Sequence, residues 1–341
     1  MSDASSFDVH EQDERVRQKV LARALDAVRS EGEVIVGPWT GEVGFELLYW
    51  IPFLTWLSNQ GPGGRRMIVL SRGGAATWYR HLTSRSVDIL DLVTPDQFRE
   101  RTAGKKKQYD RQRDFDLELI RAARQTLGLG EGPVVHPSAM FRLFAGLWRG
   151  RATLDLIESF ASFRTLTMPA AVERPTALPA DYVVAKFYFS KAFPDTSANR
   201  VFIADTLRRI SRDVPVALLS TSVRVDEHID YQASARSGVF IVDAHTVPQR
   251  NLERQTHLIA GARAFVGTYG GFSYLAPFAG VPSLSFFSRH GFEPHHLELA
   301  GRVFDRLLPG GFRALDRRDA SAVESAVNEW THPAERTQVA R

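Results

Sequence analysis

Residues Ala262 to Phe287 read ARAFVGTYGGFSYLAPFAGVPSLSFF. The run Ala264-Phe265-Val266 is short and apolar, the length of a buried strand. Gly267-Thr268-Tyr269-Gly270-Gly271-Phe272-Ser273 then forms a polar, glycine-rich corner. Tyr274 to Ala279 reads as a helix closed by Gly280 and Val281-Pro282, and Ser283 to Phe287 as another strand. Strand, glycine turn, helix, Gly-Pro stop and strand make one βαβ unit. Glycines at such a turn let the backbone take positive φ and bring its N–H groups close to a ligand. The helix that starts there aims its unpaired N–H groups and positive dipole end at the same spot, which suits phosphate. An ordinary βα turn would use a glycine for geometry alone. The Thr268 and Ser273 hydroxyls and the tight Gly280–Pro282 exit set this corner apart.

At 341 residues the chain exceeds one average domain, and two compact domains are expected. Apolar residues make up 44%, enough for packed cores. No apolar run approaches the ~18–20 residues of a membrane span, and the polar, acidic start MSDASSFDVHEQDER lacks a secretory pattern. The chain has no cysteine, which excludes disulfides, thiolate zinc sites and a cysteine nucleophile. A cytoplasmic location is the expectation. A net charge of +4 falls short of a nucleic-acid footprint, so no nucleic-acid partner is expected. Lys105-Lys106-Lys107, beside Asp110 and Asp114 and without interleaved aromatics, reads as a solvated face. Peripheral contact with a membrane surface is the minor alternative there.

Residues 1–12 read as disordered. With a helix from Glu14 to Ser30, where Val16, Val20, Leu21, Ala24, Leu25 and Val28 recur at helical spacing, they form an N-terminal tail and helix over 1–30. A Rossmann-like domain is expected over 31–165. It opens with strand Glu33–Val36, a second glycine-rich corner from Gly37 to Glu46, and an apolar helix Leu47–Ser58 broken near Pro52. Strand Met67–Leu70 ends in Ser71-Arg72-Gly73-Gly74, a turn of the same character, and Trp78 and Tyr79 beyond it read as packing. Asp114-Phe115-Asp116 is formally a metal-binding D-x-D. A charged run precedes it and a helical pattern follows, so no metal is expected.

LTMPAAVERPTALPA, residues 166–180, reads as a proline-rich linker. A second Rossmann-like domain is expected over 181–312. Its elements are strand Val183–Tyr188, helix Arg200–Ser211 capped by Ser197 or Asn199, strands Val216–Ser220 and Val239–Val242, helix Asn251–Ala262, the βαβ unit, and a helix near His296–Leu307. Residues 313–341 hold a last amphipathic helix, Ser321–Trp330, and a tail. The expected fold class is α/β: two doubly wound, Rossmann-like domains facing across a cleft, with ligands beyond the carboxyl ends of the strands.

Lys186 stands inside the otherwise apolar strand, and a buried lysine needs an anionic partner. Lys191 follows at the strand's end. Glu42 lies in the Gly37–Glu46 corner and is the first candidate for a general base. Glu46, in the first helical turn, is the second, with dipole stabilisation as its plainer role. The loop Ser288–His296 brings His290, His295 and His296. Their spacing, without a carboxylate-bearing helix, does not read as zinc. Arg224 and His245 are weaker candidates on loops after strands.

The pattern FVGTYGG followed by Ala276-Pro277 and Gly280-Val281-Pro282 resembles the C-terminal nucleotide-sugar domain of GT-B-fold glycosyltransferases, with comparable turns in the heptosyltransferase and fucosyltransferase-like branches. The resemblance is strongest over roughly residues 181–300. It implies transfer of a sugar from a nucleoside diphosphate sugar, as co-substrate, to a glycan, lipid-linked or other hydroxyl acceptor in glycan or glycoconjugate synthesis. No further cofactor is implied. It implies that Lys186 and Lys191, the turn Thr268, Tyr269, Gly270, Gly271, Phe272 and Ser273, and His295 hold the nucleotide diphosphate. The acceptor side then falls to Gly41, Gly44 and Arg72, and the base to Glu42; the look-alike pattern favours an Asp there. A sugar-nucleotide epimerase and a non-catalytic binding module on the same fold are the alternatives.

Overall fold

The computed structural model describes residues 3–104, 108, 113–168, 175–220, 228–233, 237–243, 247–288, 291–292 and 294–331. Lys105–Lys107, Asp110, Arg224, His245 and His290, named above, lie outside them. The chain divides into two compact units. The first runs to Thr167 and includes Val247–Glu253; the second begins at Met168, inside the expected linker.

In the first unit β1 (Val34–Val36), β2 (Met67–Ser71), β3 (Ser86–Asp88) and β4 (Val134–Val135) form one parallel sheet in the order β3-β2-β1-β4. Every residue of β1 and β2 is buried, as expected of parallel strands covered on both faces. The N-terminal helix spans Asp3–Arg29, so helix replaces the disorder expected over residues 3–12. Once nucleated, a helix gains one bond for each residue it fixes and needs no apolar stripe to extend.

The helical stretch Val43–Ser58 is not broken at Pro52. An α turn Val43–Phe45 leads into a π-helical turn, Glu46–Trp50, and then into helix Ile51–Ser58. Pro52 falls in the first turn of that last segment, where a missing N–H is tolerated. The aromatic side chains here pack on one another: Trp39 stacks on Trp50 at 5.8 Å and on Phe141 at 6.1 Å, and Phe45 stacks on Tyr49 at 5.5 Å. Asp114–Leu127 is a single helix, and the D-x-D is its N-terminus. Asp114 is exposed, whereas Asp116 is buried and accepts from the Arg113 N–H at 3.1 Å. The two carboxylates therefore do not converge on one cation.

The second unit contains β5 (Val183–Lys186), β6 (Tyr188–Phe189), β7 (Val216–Ser220), β8 (Ile229–Asp230), β9 (Val239–Asp243), β10 (Ala264–Thr268), β11 (Ser283–Phe287) and β12 (Phe312–Asp316). Six of them make a parallel sheet in the order β12-β11-β10-β5-β7-β9. Numbered by position within this sheet, that is 3-2-1-4-5-6, the doubly wound dinucleotide-fold order. β12 pairs with β11 from Ser283↔Phe312 onward, so the sheet extends past the expected domain end at 312. The expected strand Val183–Tyr188 is divided. β5 stops at Lys186, and β6 pairs antiparallel with β8 as a separate ribbon.

Helix Ser197–Ile210 begins three residues earlier than expected, and its cap is Thr196. The Thr196 hydroxyl accepts from the Asn199 N–H at 3.2 Å. The Asn199 side chain is buried and donates instead to Pro194 O and Ser288 Oγ. Among the described residues, no helix is long and apolar enough to cross a membrane.

Candidate functional site

In the second unit the chain leaves β5 toward β7 and returns on the other side at β10, so the connections part at the carboxyl ends of these two strands. Lys186 ends β5 and Thr268 ends β10, and the register Gly267↔Lys186 sets them side by side. This register requires glycine: a Cβ on Gly267 would lie 2.1 Å from Lys186 O. Gly270 follows at φ +149, and a Cβ there would meet Tyr188 Oη at 2.1 Å. Ser273 closes the turn. Its Oγ accepts from the Gly270 N–H at 3.1 Å and donates to Gly270 O at 2.8 Å. The helix that starts here is Gly271–Phe278. The N–H groups of Gly271 and Phe272, both half-buried, donate to no described residue.

Other predicted residues serve the frame more than the crevice. The Thr268 hydroxyl is fully buried, accepting from Tyr188 N–H at 3.1 Å and donating to Tyr188 O at 2.9 Å. Tyr269 is buried, and its Oη accepts from Tyr274 Oη at 2.7 Å; burial pushes its phenol well above the usual range. Lys191 is exposed, and His295 is half-buried with its ring 4.4 Å from that of His296. Lys186 meets the anion that its burial demands: Asp230 Oδ2 lies 2.6 Å from Nζ, and the Phe272 ring lies 5.2 Å from it. No sequence signal marks Asp230, which arrives on the two-residue strand β8.

In the first unit the corner after β1 is fastened from within. Gly37 sits at φ +125, where a Cβ would lie 2.4 Å from Leu70 O. Buried Gln108 accepts from the Thr40 N–H at 3.1 Å and donates to Pro38 O at 2.9 Å. Glu42 is half-buried at the start of the helix and Gly44 lies within it. The π turn carries Glu46 wholly inside. There its Oε1 accepts from Tyr79 Oη at 2.6 Å, and Oε2 lies 3.5 Å from Arg72 Nη1. Burial pushes the Glu46 carboxyl up to about 7, against the pull of Arg72 and Tyr79. Arg72 also donates from Nη2 to the carbonyl of buried Gly41 at 2.7 Å.

The next turn is filled by a carboxylate. Asp88 accepts from the Gly73 and Gly74 N–H groups at 3.0 and 2.7 Å. Sequence reasoning also missed buried His136, which follows β4. Its Nε2 lies 3.2 Å from Asp116 Oδ2, and its Nδ1 lies 2.9 Å from Ser138 Oγ. Burial raises the Asp116 carboxyl, and the bonds from His136 and Arg113 outweigh it, leaving it below its usual range.

No protein-family model and no curated protein matches the chain. Solved structures similar to it include the glycosyl transferase family 9 protein from Veillonella parvula, 11% identical, covering 89% of this chain and 90% of that one with a TM-score of 0.48. The E. coli heptosyltransferase WaaC with ADP is 15% identical over 87% of this chain and 98% of that one, with a TM-score of 0.43. The E. coli ADP-heptose lps heptosyltransferase II is 10% identical over 88% and 99%, with a TM-score of 0.43. Likeness at this level assigns neither an activity nor a residue role. The architecture stands on the chain's own strand order.

Proposed function

We propose that the protein is a glycosyltransferase that moves a sugar from a nucleoside diphosphate sugar to an acceptor hydroxyl without a bound metal. What supports the reading is the carboxyl end of β5 and β10, where Lys186 and the amides of Gly271 and Phe272, which donate to no described residue, lie at the switch point of a 3-2-1-4-5-6 sheet. In the proposed reaction Glu42 takes the acceptor's proton and the acceptor oxygen bonds to the anomeric carbon. The bond from that carbon to the diphosphate oxygen breaks, and the electron pair leaves with the diphosphate. The helix N-terminus and Lys186 stabilise the departing charge. Glu46, with no exposed surface, positions Arg72 and Tyr79 instead of touching substrate.

The test is a thermal-shift screen against UDP-, GDP-, ADP-, CMP- and dTDP-sugars, since a ligand that binds only the native state raises apparent stability. One of them is expected to stabilise the protein. Lys186→Ala is expected to abolish that shift, and Glu42→Gln to keep it while losing turnover by at least about a hundredfold. A full shift in Lys186→Ala refutes the diphosphate assignment.

A further inference from the structure

Between β1 and the helix that carries Glu46, the chain makes no hydrogen bond to itself: among the described residues, no main-chain bond joins two members of 37–41. Each member is held from outside instead. Neighbouring strands take two of the N–H groups, Gly37 donating to Val135 O at 3.0 Å and Trp39 to Leu70 O at 2.9 Å. Side chains hold the other three residues. Gln108 grips Pro38 O and the Thr40 N–H from 70 and 68 residues away in sequence, and Arg72 grips Gly41 O. Glu42 comes next, and its carbonyl accepts from the Glu46 N–H at 3.1 Å, where the helix begins.

Both side chains are directed inward. Gln108 and Arg72 are 1% and 2% exposed, so neither offers a surface to an acceptor. Arg72 is also a poor choice for packing alone. Its Nε and Nη1, and Oε2 of Glu46 opposite, complete no hydrogen bond among the described residues. Burying a pair so incompletely bonded opposes folding, and an apolar side chain of similar volume would pack better. What Arg72 does complete is the bond to Gly41 O, one residue before Glu42. A general base works only within hydrogen-bond reach of the proton it takes, and a displacement of about 1 Å can slow turnover about a hundredfold. Building on the base proposed above, we infer that Gln108 and Arg72 are positioning residues: they fix the main chain from which the Glu42 carboxylate reaches the acceptor hydroxyl, and Arg72 acts there and not on the acceptor.

The probe is the sugar nucleotide that stabilises the protein in the screen above, turned over by the full chain with water in place of the acceptor; released nucleotide is the readout. Per mole of folded protein, Gln108→Ala and Arg72→Met are expected to lower kcat about ten- to a hundredfold and to leave KM within about twofold. Gln97→Ala, which also removes a glutamine side chain bonded to main chain in the first unit, should change neither constant. In a Glu42→Gln background the two substitutions should cause no further loss, since they act through the carboxylate already removed. Equal fractional losses in both backgrounds, an unchanged kcat, or a KM that rises as kcat falls overturns the inference and leaves Glu42 as the base. If Arg72→Met does not fold, Gln108→Ala decides alone. If the Glu42→Gln background releases nothing measurable, the split between kcat and KM decides. Full turnover in Glu42→Gln itself, or no turnover of any sugar nucleotide by the unmodified protein, overturns the base and the inference with it.

Discussion

The glycine turn after β2 in the first unit and the one after β10 in the second both end parallel strands, and they differ in what occupies them. After β2, the N–H groups of Gly73 and Gly74 are already bonded to the Asp88 carboxylate. After β10, those of Gly271 and Phe272 donate to no described residue. In composition the two turns look alike. The difference comes from the neighbouring strand: the register Ser71↔Asp88 puts a carboxylate against the first turn, whereas β11 brings Phe286 opposite Thr268. Glycine spacing therefore specifies a cradle, and an adjoining strand decides whether the protein fills it.

The contrast can be broken most severely at Gly267. With Lys186 O only 2.1 Å from a built Cβ, Gly267→Ala must push β10 off β5, at an expected cost of about 4 kcal/mol in urea unfolding. Gly73→Ala, at φ +65 with no atom nearer than 3.5 Å, should cost only about 1 kcal/mol. Equal losses would show that the second turn is no more tightly determined than the first.

Next in size is a pH response confined to the first unit. Glu46, raised from 4.5 to about 7, favours the fold while protonated; this contribution is complete below pH 4.5 and lost as pH rises through 7. It amounts to about 3 kcal/mol. Asp88, also raised by burial, acts in the same sense. His81, lowered from 6.5 to about 4 by burial and by Arg164, acts oppositely; its contribution is present above pH 6.5 and lost as pH falls through 4. Glu46→Gln should unmask stability that rises with pH between about 4 and 6.5, and His81→Gln stability that falls between about 4.5 and 7. Denaturant midpoints across that range separate the two, and identical profiles in both variants would refute the assignment.

The smallest effect sharpens the comparison directly. Asp88→Ala empties the filled turn and removes the cap on Leu90, for an expected loss of about 2 kcal/mol. Added phosphate should restore part of the melting temperature in this variant and leave the unmodified first turn unaffected.

The βαβ unit at 264–287 was legible because each of its parts carries its own local signal: a fully apolar strand, glycines that only glycine geometry satisfies, and a Gly-Pro exit. β4 and β8, at two residues each, are too short to carry any periodicity. β12 is half-buried along its whole length, without the apolar run of its neighbours. At the site, the need of Lys186 for an anion followed from its apolar surroundings, but the identity of that anion did not, because Asp230 meets it only through long-range pairing. The inward turn of Glu46 was hidden as well. It depends on a π turn, and the residues there spell an ordinary apolar helix.

The Thr268 hydroxyl has one more consequence. By bonding both main-chain groups of Tyr188 it acts as a substitute rung, made by a side chain, between the sheet and the ribbon that bears Asp230. Valine has nearly the same shape and neither bond, while serine keeps both. Exchanging these residues at position 268 would loosen or retain the ribbon's anchorage without altering a single charge, so the electrostatics of this crevice can be tuned from an uncharged position.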